Sequence, residues 1–186
     1  MWGRAACALL LAGCDLVFPI DSSAADSADL TKCPASYVPI ANAPSRYQLN
    51  TTSGVDWYMQ EAACEADSAN GGPATHLVVV DDSNELTAIV AATMSALSQN
   101  DFHTGFFREG DRDAWQSITG GSPMIGNTEW LDPLEPMDQG EAASVIVSFD
   151  GFGDGGLASF PLGDTESAAV CECDGHIVSL RPSPNL

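Results

Sequence analysis

The side chains able to do chemistry in this 186-residue chain are six cysteines, three histidines and a large excess of carboxylates. The histidines, at positions 76, 103 and 176, are scattered along the sequence. His103 has Asp101 and Glu109 nearby, but no serine or free cysteine is placed by a nucleophile elbow, as acyl transfer would require. His76 heads an apolar run and reads as a structural histidine with satisfied hydrogen bonds. Phosphate loop, dinucleotide fingerprint and zinc helix are all missing, so the sequence reads as that of a non-enzyme. Two acidic stretches invite a cation. Asp150-Gly-Phe-Gly-Asp154-Gly-Gly spaces two aspartates by four, yet it lacks the middle oxygen donor and the distal bidentate Glu of an EF-hand, which favours a glycine-rich turn. Asp111-Arg112-Asp113 fits either a cation loop or a solvated turn.

Cys33, Cys64, Cys171 and Cys173 are an even set, which in an exported chain reads as two disulfides. Cys-x-Cys with two distant single cysteines is not a usual zinc spacing. Residues 171 and 173 lie on the same side of a strand, where a direct bridge would be strained. Each is therefore expected to reach back to Cys33 or Cys64, and either pairing draws the two ends of the unit together. A bridge from 64 to 171 would close a loop of about a hundred residues, contributing about 4 kcal/mol in the loop-entropy picture.

The elements that must position these groups follow from periodicity. Short strands are expected at 36–40 and at Arg46 to Asn50. Asp56 can cap a helix from Trp57 to about Glu65 that puts Trp57, Glu61 and Cys64 on one face. His76 to Val80 reads as a buried strand. Asp82 or Ser83 caps a second helix whose stripe of Leu86, Ile89, Val90, Met94 and Leu97 is core. Residues 101–140 are rich in Gly, Asp, Pro and aromatics with little periodicity, and read as one long functional loop anchored by Trp115 and Trp130. Three strands follow, at Ser144 to Phe149, Leu157 to Phe160 and Ala168 to Cys173. Nothing regular is expected past Leu180. The 26 acidic against six basic residues leave no electrostatic footprint for nucleic acid, and favour solubility outside the cell or adaptation to salt over a cationic partner.

At the N-terminus, Arg4 precedes the apolar run Ala5 to Leu11 and then Leu11-Ala12-Gly13-Cys14, which resembles the lipobox of bacterial lipoproteins. The resemblance implies removal of residues 1–13 as a signal peptide and an acyl anchor, such as palmitate, on Cys14. Loss of Arg4 would move the formal charge from −20 to −21. Residues 14–32 then read as an acidic tether that holds the next unit roughly 20–25 Å from the lipid. The globular unit spans 33–174, and 175–186 form a C-terminal tail. The implied location is the bacterial cell envelope, on the inner or outer membrane, facing the periplasm or the exterior.

Residues 33–173 resemble the C-type lectin-like domain. Cys33-Pro34 is similar to its opening, and Trp57, Ala62 and Cys64 to its first-helix pattern. Leu77 to Val80 followed by Asn84-Glu85-Leu86 resembles its strand and second helix, and His103-Thr-Gly-Phe106 stands where it has Trp-Ile-Gly-Leu. Trp115 with Gly120, Trp130, Glu135-Pro136 and Val170-Cys171-Glu172 resemble later landmarks. The resemblance implies an α+β fold of two helices and short antiparallel sheets with a long irregular loop region, closed by disulfides pairing Cys64 with Cys171 and Cys33 with Cys173. The family's second common bridge has no counterpart, since only Ser144 stands near one of its positions.

In sugar-binding members a Ca²⁺ held by carboxylate and amide oxygens completes its shell with sugar hydroxyls. The resemblance makes Glu135, Asp138 and Glu141 the calcium ligands if one binds. Met137 stands where an amide or carboxylate is expected, and a thioether is a poor partner for a hard cation. The late Trp-Asn-Asp motif is replaced by Leu157-Ala158-Ser159. The resulting expectation is a lipid-anchored binding module for a protein or glycan, with Trp115, Trp130 and Met137 as contacts and no required cofactor, Ca²⁺ being possible. Phe106 and Phe107 are further contact candidates. The alternatives are a calcium-dependent lectin and a structural surface lipoprotein that binds nothing.

Overall fold

The computed structural model describes residues 28–52, 54–68, 71–96, 101–110, 114–121, 142–148 and 155–183. After a single 3-10 turn at Leu30–Lys32, the elements in chain order are β1 (Val38–Pro39), β2 (Arg46–Asn50), α1 (Trp57–Ala66), β3 (Thr75–Leu77) and α2 (Ser83–Ala96). The remainder is strand: β4 (Asp101–Arg108), β5 (Gln116–Ser117), β6 (Ala142–Ser148), β7 (Gly155–Pro161) and β8 (Ala168–Cys173).

Both helices start where a carboxylate satisfies orphan backbone donors. Asp56 Oδ1 accepts from the Met59 amide at 2.9 Å, with its own backbone extended. Asp82 Oδ1 accepts from Asn84 at 2.8 Å and from Glu85 at 2.9 Å. These are caps of the Asx type, each placing negative charge at the positive end of a helix dipole.

The strands form one eight-stranded sheet in the order β1-β2-β8-β4-β6-β7, with β3 added on β8 and β5 on β4. The pairing is antiparallel as expected but for one pair: β4 and β8 run parallel, through Phe102 opposite Ala168 and His103 opposite Ala169. The parallel pair is possible because the chain between them makes a long crossover through β6 and β7, which a hairpin could not do.

Alternate residues of β8 feed two cores. Ala168 and Val170 join Tyr47, Phe102, Phe106 and the α2 residues Leu86, Ile89 and Val90. Ala169, Cys171 and Cys173 join Tyr37, Phe107, Ile118 and the α1 residues Trp57 and Cys64. The sheet thus carries one helix on each face, and β8, buried at all six positions, lies at its centre. Both bridges end on this strand: Cys33–Cys173 with Cα atoms 6.0 Å apart, and Cys64–Cys171 at 5.4 Å.

One expectation is overturned. Residues 101–108 are the strand β4, buried from Phe102 to Arg108, and not the start of a loop. The period-2 signal is missing because both faces of this strand are covered, so polar and apolar residues alike point inward. Its centre is Gly105, where an added Cβ would lie 2.7 Å from Ile118 Cδ1 and 2.9 Å from the Leu77 carbonyl oxygen. Close backbone approach of β3 and β5 on its flank therefore requires glycine there. The expected strands at 36–40 and 76–80 are shorter than their apolar runs. Past Leu77, Val78 still donates to Val170 O at 2.8 Å, but Val79 N–H turns to the Glu172 side chain.

Candidate functional site

Two places have the ingredients of a site: the base of the segment between β4 and β6, and a buried polar seam beside β8.

At the first, Arg108 pairs with Ala142 and Phe107 with Ala143, so residues 109–141 leave and rejoin the sheet at adjacent positions. The first part of that segment returns as β5, which pairs Phe106 with Ser117 and Phe107 with Gln116. Ile118 then donates to Gly105 O at 2.9 Å, and its own carbonyl accepts from Ser179 and Leu180 at 2.8 and 2.9 Å. The C-terminal tail is thereby laid across the base. Ser183 N–H reaches Glu109 Oε1 at 2.9 Å, and Arg181 pairs with Glu65.

Trp115 is half-buried, with the Arg108 guanidinium carbon 5.5 Å from its ring centroid, and packs on the α2-side core. Its ring is thus committed in part to holding the segment down. Phe106 and Phe107 are 0% and 2% exposed, which removes them as ligand contacts: both are core side chains of β4. Trp130, Glu135, Met137, Asp138 and Glu141 lie outside the described residues, as do Cys14, Asp111, Asp113, Asp150 and Asp154. Leu157, Ala158 and Ser159, which stand in place of the Trp-Asn-Asp motif, are buried in β7 and bring no carboxylate or amide oxygen. That part of the donor set does not fit a calcium ion, which needs six to eight oxygens.

The second place was not foreseen as a unit. Glu172 alternates with Cys171 and Cys173 and so points to the opposite face of β8, directly across from His76 on β3. His76 is fully buried; its Nδ1 lies 2.7 Å from the Leu77 carbonyl and its Nε2 3.0 Å from Asp174 Oδ1. The structural role expected for this histidine is therefore met. Asp174 Oδ2 lies 2.5 Å from His176 Nδ1, and its Oδ1 also accepts from the His176 amide at 2.7 Å. Gly175, at φ +88°, makes the tight turn that lets these two side chains face one another.

Farther along the seam, Glu85 accepts from Tyr47 Oη at 2.5 Å and from the Asp81 amide at 2.7 Å, while Glu172 Oε2 accepts from the Val79 amide at 3.1 Å. On the other face of the sheet, Glu61 Oε2 accepts from Leu77 N at 2.8 Å. Each carboxylate stands in for a missing strand bond, taking a backbone N–H where the ladder ends.

Burial shifts the titrations. It pushes Glu61 up to about 7, against the Leu77 hydrogen bond and the charge of His76. Burial, helped by repulsion from Asp174, pushes Glu172 up to about 8, and it raises Glu85 as well. For His76 burial acts downward but is outweighed by the hydrogen bond and charge of Asp174, which lift it to about 9. Burial likewise fails to raise Asp174, which the His76 hydrogen bond holds below the usual carboxylate range. The directions favour a charged pair of His76 with Asp174 and work against ionisation of Glu172. The sequence signal for it was the run Glu172-x-Asp174-x-His176 on the far side of a cysteine-bearing strand.

No protein-family model matches the chain, and no curated protein sequence matches it. Solved structures do. It is similar to the C-type lectin CEL-I of Cucumaria echinata at 15% identity, covering 77% of this chain and 99% of that one with a TM-score of 0.61. Against the SPL-1–GlcNAc complex the figures are 18% identity, 76% and 95% coverage and 0.60. Against the carbohydrate-recognition domain of the human scavenger receptor C-type lectin they are 18%, 76%, 98% and 0.57. The α+β arrangement with its two bridges is a C-type-lectin-like fold.

Proposed function

We propose that this chain is a lipid-anchored extracytoplasmic binding module that recognises a protein or glycan through the segment between β4 and β6. The observation that carries this reading is the framing of that segment. Residues 109–141 enter and leave at the paired positions Arg108 and Ala142, on a frame closed by two disulfides. Rigid frames that present long segments are the usual setting for recognition. Two of the similar structures are a complex with GlcNAc and a carbohydrate-recognition domain, which supports a glycan as one class of ligand.

Recognition proceeds without the fold's calcium-dependent sugar site. Met137 and the Leu157-Ala158-Ser159 run leave too few hard oxygens for the ion, and Glu135, Asp138 and Glu141 alone do not complete its shell. The module acts by binding and not by catalysis. The lipobox-like Leu11-Ala12-Gly13-Cys14 supports an acyl anchor on Cys14, with residues 15–32 as the tether.

Binding to arrayed glycans and envelope proteins, measured with calcium and with chelator, tests the first part. Retention in chelator is the expected result; binding lost in chelator and restored by calcium identifies a calcium-dependent lectin instead. No ligand on either array would favour a purely structural surface protein. For the anchor, Cys14→Ala should shift the expressed protein from the membrane to the soluble fraction and abolish incorporation of labelled palmitate.

A further inference from the structure

The seam at the end of β8 brings together nitrogen and oxygen donors whose disposition goes beyond holding strands in place. His76, Glu172 and Asp174 each offer one ligand atom, and the three lie within 4.8 Å of one another. His176 Nδ1 holds the other oxygen, Asp174 Oδ2, at 2.5 Å and stands outside the group. We propose that His76, Glu172 and Asp174 form a binding site for a transition-metal dication of the zinc type, with the fourth position open to water.

Geometry comes first. In a tetrahedral site with bonds of about 2.0–2.1 Å, neighbouring donors stand about 3.3–3.4 Å apart. His76 Nε2 and Asp174 Oδ1 are 3.0 Å apart, so an ion between them needs an opening of only a few tenths of an ångström. Orientation comes second. His76 Nδ1 is directed at the Leu77 carbonyl oxygen at 2.7 Å, which fixes the ring and turns Nε2 to the cluster. A backbone carbonyl behind a ligating histidine is the usual outer support of a zinc site. Glu172 is held in the same way, with Oε2 on the Val79 amide.

The donor set discriminates between metals. One imidazole and two carboxylates suit zinc, cobalt, nickel or copper; calcium asks for more oxygens than the cluster has. The positions are also rigid. Asp174 follows Cys173, which is bridged to Cys33, and His76 and Glu172 face each other across β3 and β8. An entry path exists: a cavity of about 270 Å³ is lined by Val79, Asp81, Thr119, Gly121, Asp174 and His176. Asp174 joins this cavity wall to His76, which is fully buried. Asp81 adds a carboxylate to the cavity wall, drawing cations inward.

The test uses the purified full-length chain, stripped with chelator and titrated calorimetrically with ZnCl₂ and, separately, CaCl₂. One zinc ion per chain at micromolar or tighter affinity, with no heat from calcium, is expected. His176→Ala removes an outer support of Asp174 and should weaken binding about tenfold; His76→Gln, checked for folding by circular dichroism, removes a ligand and should weaken it about a hundredfold. Cobalt distinguishes this cluster from the thiols of Cys7 and Cys14. The site should give the absorption of a tetrahedral nitrogen–oxygen centre with no thiolate charge-transfer band. Zinc binding that is absent, or unchanged in both histidine variants, or accompanied by the thiolate band, overturns the proposal.

Discussion

Replacing Cys64 and Cys171 together with alanine removes a bridge whose contribution depends on whether the other remains. In the loop-entropy picture an isolated crosslink spanning 107 residues constrains the unfolded chain by about 4.8 kcal/mol. With Cys33–Cys173 intact, however, a shorter route joins the two sulfurs. It runs back about 31 residues from 64 to 33, crosses the bridge, and returns about two residues from 173 to 171. An effective loop of about 33 residues is worth only about 3.7 kcal/mol. The same circuit governs removal of Cys33–Cys173, so the two single losses should be nearly equal despite their different spans. Removing both should cost about 8.5 kcal/mol, roughly 1 kcal/mol beyond the two single losses combined. The loss approaches the whole stability of an ordinary domain, so urea unfolding at low temperature is the assay. Core atoms removed by each pair are the same in either background, which leaves the excess to chain entropy. Clearly unequal single losses, or a four-alanine variant less destabilised than the two losses combined, would refute the circuit argument.

Gly105→Ala should destabilise the fold by about 1–3 kcal/mol in urea titrations, because its Cβ would meet the Leu77 carbonyl oxygen, which cannot step aside as a side chain can. Asp56→Ala removes the acceptor of the Met59 amide and should cost about 1 kcal/mol, recovered by Asp56→Ser; no recovery would mean that the carboxylate acts otherwise than as a cap. Stability should also depend on pH through Glu61. Its carboxyl is raised by burial from 4.5 to about 7; the Leu77 N–H, His76 and Arg181 oppose the shift and Glu65 adds to it. Because the folded value lies above the unfolded one, this contribution is complete below about pH 4.5 and is lost as pH rises through about 7, on the order of 3 kcal/mol in all. Glu61→Gln should flatten the stability profile over that window while keeping an acceptor for Leu77, and an unchanged slope would show that Glu61 ionises freely.

What could be read in the sequence depended on whether a residue's environment was local. The α1 start at Asp56 and its buried Trp57, Glu61 and Cys64 are set by a cap and a helical period within ten residues. The limits of β2 and β8 were legible as well, because short apolar or β-branched runs end at loop-forming residues. β4 was not: Gly105 and the buried His103 and Thr104 break every local pattern, and only contacts from β3, β5, β6 and β8 explain them. The seam was hidden for a similar reason. Periodicity puts Glu61 on the inner face of α1 but does not say which N–H it meets, and the acceptor roles of Glu85 and Glu172 emerge only where Asp81 and Val79 leave the strand ladder.

The ties that hold the frame around the segment between β4 and β6 converge on one strand. Strand β8 takes β2 along one side and β3 and β4 along the other, and carries one end of each disulfide. The seam ends on Glu172 and Asp174, at the same place. Residues 109–141 leave and rejoin at the β4–β6 junction, through the pairing of Phe107 and Arg108 with Ala143 and Ala142, the β5 return and the hydrogen bonds of Ile118 to Gly105, Ser179 and Leu180. Within the described part of that segment, Ile118 packs with the bridged cysteines, and Thr119 and Gly121 line the cavity that Asp174 and His176 share. The segment is thus tied to the frame through its first residues, on the same core that holds both ends of the Cys64–Cys171 bridge.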